Sequence, residues 1–338
     1  MTNQAEQVMK KIEIGHGSGG RLTRDLIEKL FLKYLDSSEL KPLEDAAYIS
    51  FENPRIAITT DSYVVRPLFF PGGDIGKLAV CGAINDLAVS GASPKYLSLS
   101  FIIEEGFLIR HLEDVLKSIK MTSEAAGVKI VTGDTKVVER DKCDGLYINT
   151  TAVGEIARSL ILDNISDGDA LIVTGTLGDH GTAVAIARDE FDIDASVQSD
   201  CAPLNGLLTP LFDIDGVKWM RDPTRGGVAT VLVEVAEKTG LGVEIYEENI
   251  PVRDDVKFIS DMLGYDPLYL ANEGKAVVIT SHEAANEVLN KLRKHSLGKD
   301  AALIGRITTK YKGVRLKTKI GGERMLDMLE DDMLPRIC

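Results

Sequence analysis

Basic charge is in short supply in this 338-residue chain: 39 Lys and Arg stand against 52 Asp and Glu, for a formal net charge of -13. Such an acid surplus repels a nucleic-acid backbone, and no local Lys/Arg patch offers an exception. Cysteine is scarce as well. Cys81, Cys143, Cys201 and Cys338 contain no Cys-x-x-Cys pair, so neither a zinc site nor a dithiol redox motif is indicated. In a reducing compartment all four should be free thiols, and the first three lie in or beside apolar patterns, where they are expected to be inert. No apolar run approaches the roughly 20 residues that span a bilayer. The opening Met1-Thr2-Asn3-Gln4-Ala5-Glu6 lacks the basic and apolar regions of a secretory signal, so a cytoplasmic protein without a membrane segment is expected.

What is there is ordinary for a soluble protein, 44% hydrophobic and 27% charged, in a chain long enough for two domains at about 150 residues each. Residues 1–45 hold a short extended stretch at Lys11-Ile12-Glu13-Ile14, a glycine cluster, and apolar positions Leu22, Leu26, Ile27, Leu30, Phe31 and Tyr34 at helical spacing. Residues 46–160 alternate strand-like runs with helical patterns near 75–90 and 107–126, an α+β unit. The polar segment Asp163-Asn164-Ile165-Ser166-Asp167-Gly168 separates it from an α/β unit, residues 161–331. That unit interleaves helices near 179–189, 225–239, 253–263 and 284–295 with strands near 241–246, 275–280, 301–307 and 313–318, and closes on a helical stretch near 321–332. Residues 332–338 end in Pro335-Arg336-Ile337-Cys338. Pro335 disfavours helix before it, so this is a flexible extended tail, able to reach roughly 20 Å at about 3.3 Å per residue.

Two glycine-rich segments invite a phosphate-binding interpretation. Gly15-His16-Gly17-Ser18-Gly19-Gly20-Arg21 formally fits G-x-G-x-x-G, yet no second strand ending in an acid follows at the distance a dinucleotide fold requires. The cluster could still present backbone N–H groups to phosphate, or be a plain connector. Gly72-Gly73-Asp74-Ile75-Gly76-Lys77-Leu78 is one residue short of a Walker loop and has Leu78 where a hydroxyl must hold magnesium, so it is rejected. Aspartates at element ends serve instead: Asp45, Asp61, Asp86 and Asp134. Each could be a helix cap or a turn residue, but together they offer the oxygen ligands magnesium prefers. Asp86 is the hardest to explain otherwise, because Ala83, Ile84, Leu87, Ala88 and Val89 surround it and an unpaired charge among them is costly. Asp222 is similar, followed by Gly226 and Gly227, which open a helix and could present N–H groups to an anion. His16 and His180 look like polar loop residues.

The segments His16 to Arg21, Thr60-Asp61-Ser62, Asn85-Asp86-Leu87, Gly133-Asp134-Thr135-Lys136, Asp222-Pro223-Thr224-Arg225-Gly226-Gly227 and Pro335-Arg336-Ile337-Cys338 together resemble the HypE family of hydrogenase maturation factors. That family belongs to the ATP-binding superfamily of aminoimidazole ribonucleotide synthetase, thiamine-monophosphate kinase and selenophosphate synthetase. The internal motifs carry the superfamily, and the tail with the glycine cluster carries HypE. The resemblance implies a homodimer in which the sheets of two first domains form a barrel, a second domain with a mixed sheet, and ATP with magnesium between the domains. It implies nucleotide contacts at Gly17, Ser18, Gly19, Gly20, Thr60, Asn85, Gly133, Gly226 and Gly227, and metal ligands at Asp45, Asp61, Asp86, Asp134 and Asp222. Pro335, Arg336 and Ile337 would position the tail. A carbamoyl group delivered by HypF would be attached to Cys338, dehydrated to a thiocyanate at the expense of ATP, and passed as cyanide to iron on a HypC–HypD assembly.

That chemistry needs a base to remove the nitrogen's protons, and Lys136 and Glu273 are the candidates. It also needs a mobile thiol, which a chain end supplies, although the α-carboxylate of Cys338 opposes thiolate formation unless Arg336 offsets it. A cysteine at the very end does not fit the prenylation signal, which places it fourth from the end. Two other interpretations use the same residues: a kinase or synthetase acting on a free small molecule, for which Cys338 is dispensable, and a non-catalytic scaffold that binds nucleotide as a structural ligand. Selenophosphate synthesis is disfavoured because the first cysteine is Cys81.

Overall fold

The computed structural model describes residues 11–17, 21–41, 43, 49–52, 54–188, 197–328 and 336–338. Ser18, Gly19, Gly20, Asp45 and Pro335 lie outside the described residues.

The first half contributes β1 (Ile56–Tyr63), the two-residue strands β2 (Phe69–Phe70) and β3 (Gly73–Asp74), β4 (Ala92–Glu104), β5 (Lys129–Val138) and β6 (Leu146–Ile156). Strands β1, β6, β4 and β5 lie side by side in that order, with β4 and β5 parallel and the other pairs antiparallel. Because side chains alternate along a strand, Leu97, Leu99, Phe101, Ile103, Leu146, Ile148 and Ala152 share one buried face, packed on helices Ile75–Val89 and Ile109–Ala126. The opposite face is uncovered in the single chain. It shows Ile56, Ile58 and Ile102, at 48%, 68% and 41% exposure.

Helix Ile75–Val89 begins where Asp74 accepts hydrogen bonds from the Gly76 and Lys77 amides at 2.7 and 3.0 Å. Lys77 in turn donates to the Gly72 carbonyl at 2.8 Å. The Gly72–Lys77 segment is therefore a capped helix start, as its failed Walker spacing implies. The helix is apolar on all sides and buried nearly throughout, because both domains pack on it. Its middle belongs to the first core, while Ala88 and Val89 belong to a core of the second half.

The second half supplies β7 (Ala170–Val173), β8 (Val217–Arg221), β9 (Gly242–Tyr246), β10 (Val277–Thr280), β11 (Ala302–Thr308), β12 (Gly313–Lys317) and β13 (Glu323–Leu326). They form one mixed sheet in the order β13-β12-β9-β11-β7-β10-β8, with β12 and β9 parallel. Leu171 and Val173 face the core beneath helix Gly227–Thr239, and Ala170 and Ile172 face the core beneath helix Ala285–Arg293. Coverage on both faces explains why β7 and β10 read as unbroken apolar runs. Arg158 ties the two halves together, donating to the carbonyls of Phe212, Ile214, Asp215 and Val217 at 2.6 to 3.0 Å.

Two local expectations are corrected. Residues 323–326 form β13, not helix, because the turn at Thr318–Gly322, with Gly321 at φ 85°, folds the chain back onto β12 in the register Val314↔Leu326. Pairing overrides the helical propensity of Glu323-Arg324-Met325-Leu326. Near the start, extended structure is confined to an isolated bridge at Lys11, and Ile14–Gly17 is a 3-10 turn.

One buried charge organises the β9–β11–β12 edge. Glu244, 4% exposed, accepts from Arg306 and Tyr246 and pairs with Lys317 at 2.7 Å. Burial works to raise its pKa, but the bonds from Lys317, Tyr246 and Arg306 outweigh it and hold the carboxyl down to about 2. A depressed carboxylate adds stability above its unfolded value of 4.5, and that stability is lost as pH falls toward about 2. Glu244→Gln is therefore expected to cost about 1–2 kcal/mol at neutral pH, a figure reduced because Arg306 and Lys317 keep much of their surface in water. Urea unfolding across pH should show the gap to the native protein closing as acid is added.

Candidate active site at the domain junction

The site begins with the alternation of β1. Thr59, Asp61 and Tyr63 point toward helix Ile75–Val89, while Thr60 and Ser62 point to the uncovered face. Asp86 on that helix meets them: Thr59 donates to Asp86 Oδ2 at 2.6 Å, and Tyr63 donates to Asp61 Oδ2 at 3.2 Å. Gly82 makes the approach possible, since a Cβ there would lie 2.1 Å from the Tyr63 hydroxyl. Asp222, just after β8 and 8% exposed, and Glu273, 2% exposed, close the junction from the second domain.

Crowding these acids in a poorly hydrated space raises their affinity for protons. Burial first, and then the charge of Asp61 against the bond from Thr59, pushes Asp86 up to about 6. Burial and the charge of Asp86 push Asp222 up to about 7. Glu273 stands well above the carboxylate range because of its burial and the nearby groups Cys201, Asp222, Asp200 and Asp61, and its Oε1 has no hydrogen-bond partner. Burial, followed by the charges of Asp61, Glu273, Asp86 and Cys338, keeps the Tyr63 phenol protonated. Tyr63 thus feels the charge of both the acids and the chain end.

Framework residues fix the junction. Asn85 donates to the carbonyls of Ala202 and Glu273, both at 3.1 Å, and accepts from the Leu204 amide at 2.8 Å. Its side chain is an interdomain brace. Asp200 accepts from the Glu273 and Gly274 amides and from Lys275, each at 3.2 Å, which sets the turn that carries Glu273. Gly226 and Gly227, at φ 75° and 61°, lead into helix Gly227–Thr239. A Cβ on Gly227 would meet the Leu268 carbonyl at 2.4 Å.

Residues 336–338 of the tail lie against the strand that leads into this junction. The Val64 and Arg66 amides donate to the carbonyls of Cys338 and Arg336 at 3.3 and 3.2 Å, so the chain end runs beside the segment that leaves β1. Ile337 is 3% exposed within the first core. Arg336 pairs with Asp144, donates to the Val64 carbonyl and lies over the Tyr147 ring, while Arg188 donates to the Arg336 carbonyl. Buried His180 donates from Nε2 to the Ile337 carbonyl at 2.9 Å. The sequence reading of His180 as a polar loop residue is corrected: it sits in helix Asp179–Ala187 with no exposure. His16 is likewise buried, in the Ile14–Gly17 turn, with Nδ1 3.0 Å from the Glu13 amide.

The structure separates Asp134 and Lys136 from this group. The registers Ser62↔Asn149, Asn149↔Ser100, Ser100↔Asp134 and Ile102↔Lys136 place both on the uncovered face of the sheet, opposite to Asp61. They are 59% and 67% exposed and pair with each other at 3.5 Å. Thr60 is on the same outer face, donating to the Thr150 carbonyl. Gly133 lets β5 approach β4, since a Cβ would lie 2.5 Å from the Leu99 carbonyl, and Gly17 likewise lets its turn approach Val137. Among the described residues no three His, Cys, Asp or Glu side chains form a group that could hold a metal ion as they stand. No helix there is long and apolar enough to cross a membrane.

Residues 43–156 match the family described as AIR synthase related protein, N-terminal domain, and residues 166–317 match its C-terminal domain. The chain is 47% identical over 337 residues to carbamoyl dehydratase HypE of Escherichia coli strain K12, covering 98% of this chain and 100% of that one. A solved structure of hydrogenase maturation protein HypE in complex with ATP superposes with a TM-score of 0.93 at 44% identity, covering 96% of this chain and 99% of that one. The protein in a HypE–HypF complex superposes with a TM-score of 0.79 at 45% identity, covering 90% and 99%. With two AIR-synthase-related domains and near-full-length identity above 40%, the chain belongs to the HypE family of hydrogenase maturation proteins.

Proposed function

We propose that this protein is a carbamoyl dehydratase that uses ATP to convert an S-carbamoyl group on its own Cys338 into a thiocyanate. The observation that carries this reading is the docked chain end: the Cys338 carbonyl accepts from the amide of Val64, next to Tyr63, whose hydroxyl donates to Asp61. A small-molecule kinase gains nothing from a tail folded into its acidic junction. The carbamoyl group comes from HypF, and the cyanide goes to iron on a HypC–HypD assembly of nickel-iron hydrogenase maturation. The ATP and HypF complexes of relatives at 44% and 45% identity support ATP as the nucleotide and HypF as the donor. A homodimer fits as well, because the uncovered face with Ile56, Ile58 and Ile102 suits a second copy of the same sheet. Of the two candidate bases, Glu273 is favoured because it is buried at the junction with Asp222, whereas Lys136 is exposed on the outer face.

The reaction balances without an external oxidant. Transfer of the γ-phosphoryl group to the carbamoyl oxygen yields ADP and makes that oxygen part of a good leaving group. Loss of two protons from nitrogen and departure of phosphate then leave S–C≡N. Asp61, Asp86 and Asp222 do not close on a metal ion as they stand; with triphosphate oxygens completing the shell they would hold magnesium, which would supply neutralisation of charge on the phosphoryl oxygens. Glu273 would accept a proton from the carbamoyl nitrogen. Tyr63, held protonated, can donate a hydrogen bond toward the reacting group, and Ile337 and the junction walls keep water out.

Mass spectrometry of the C-terminal peptide, after incubation with HypF, carbamoyl phosphate and ATP, should show carbamoyl addition followed by loss of one water's mass. Cys338→Ala should show neither. Asp86→Asn should accept the carbamoyl group and keep it; dehydration at the native rate in that variant would remove Asp86 from the phosphoryl site.

The raised acids also set a pH dependence. A carboxyl whose folded pKa exceeds its unfolded value destabilises the fold as pH rises, here from the ordinary 3.8 through about 6 for Asp86 and about 7 for Asp222. Magnesium with ATP should therefore raise the melting temperature more at about pH 8 than at about pH 5. Equal shifts at both values would argue against cation binding by these acids.

A further inference from the structure

Arg336 and Ile337 account for how the tail is anchored, but not for what fixes the peptide plane next to the reactive residue. Ile337 is buried, so its carbonyl has no water to bond, and a lost partner there leaves an acceptor unsatisfied. The partner is His180 Nε2 at 2.9 Å. A neutral imidazole donates from one nitrogen only, so this bond needs the Nε2–H tautomer with Nδ1 as an acceptor. The neighbours select that tautomer. Ser199 Oγ lies 2.8 Å from His180 Nδ1 and itself accepts from the Cys201 amide at 3.0 Å, which leaves its hydroxyl hydrogen free to donate to Nδ1. Ser199 is anchored in turn, its own amide donating to the Pro71 carbonyl at 2.8 Å. The chain Cys201 N–H to Ser199 O–H to His180 to Ile337 C=O therefore runs in one direction. A backbone donor fixes it at one end and a backbone acceptor at the other. The edge of the Phe70 ring, 5.3 Å away at 87°, holds the imidazole plane. Burial lowers the pKa of His180, in keeping with the neutral form the chain requires.

We propose that His180, oriented by Ser199, is the positioning residue that docks the tail and aims Cys338 at Tyr63 and the acids. The catalytic half of this inference rests on the dehydratase reading; the docking half does not. His180 meets the tail at the Ile337 carbonyl. It acts through the Ile337 carbonyl, so its loss shifts the tail between docked and free without altering the acids.

The test uses the full-length chain with His180→Leu, His180→Gln and Ser199→Ala. Docking is read as the rate at which carboxypeptidase Y, after removing Cys338, releases Ile337, which is shielded while docked. His180→Leu should speed release about tenfold, and Ser199→Ala about threefold. His180→Gln should return it close to the native rate, because its amide nitrogen reaches the position of Nε2. Melting temperature and ATP affinity serve as controls for the fold. In single-turnover reactions on carbamoylated protein, dehydration should slow in the same order while ATP affinity stays at the native value. Native release rates in His180→Leu, or release from His180→Gln as fast as from His180→Leu, would overturn the proposal. If His180→Leu does not fold, Ser199→Ala with native release overturns it equally well. Should the order of release hold while the native protein performs no dehydration, the dehydratase reading fails and the docking role stands.

Discussion

Four carboxyl groups meet where the two domains join, and the cost of keeping them out of water shapes everything around them. Asp61 enters from a strand, Asp86 from an apolar helix, Asp222 from the end of a second-domain strand and Glu273 from a turn gripped by Asp200. Asp86, Asp222 and Glu273 could not be charged there alone without a penalty of several kcal/mol. Protons can lift that penalty, as can a cation. The acids are coupled, because charge on one opposes charge on the next: Asp61 raises Asp86, Asp86 raises Asp222, and Asp222 raises Glu273.

That coupling depends on rigidity. If helix Ile75–Val89 could move, Asp86 would turn toward solvent and the cost would vanish. It cannot, because both domains pack on the helix, Asn85 bonds the second domain through three backbone groups, and Gly82 admits the Tyr63 hydroxyl within what would be Cβ distance. An apolar helix shared by two cores is what allows one of its residues to remain acidic and functional.

The parts legible in the sequence were those with a local physical signature. Asp86 stood out by its apolar flanks, Glu273 by the buried strand that follows it, Cys338 by its place at the chain end, and the elements by periodicity. Relations across strands were not legible. Asp134 and Lys136 follow a register shift between β4 and β5 at Leu97/Ser98, paired with Ile130 and Thr132, and so fall on the sheet face opposite to Asp61. No periodicity count places that irregularity in advance. His180 was passed over because a histidine between glycines and an aspartate has a loop's composition. Its role comes from Ser199 and Ile337, distant in sequence, and a hydrogen-bond chain leaves no trace in local pattern.

The tail brings a further charge into this balance. Docking buries Ile337, a gain of about 2 kcal/mol, and adds backbone bonds to Val64 and Arg66 and the Arg336–Asp144 pair. Against this stands the conformational entropy a free chain end gives up on docking. A chain end held by a few backbone bonds and one buried side chain can exchange between docked and free, which is what the Arg336, Ile337 and Cys338 contacts provide.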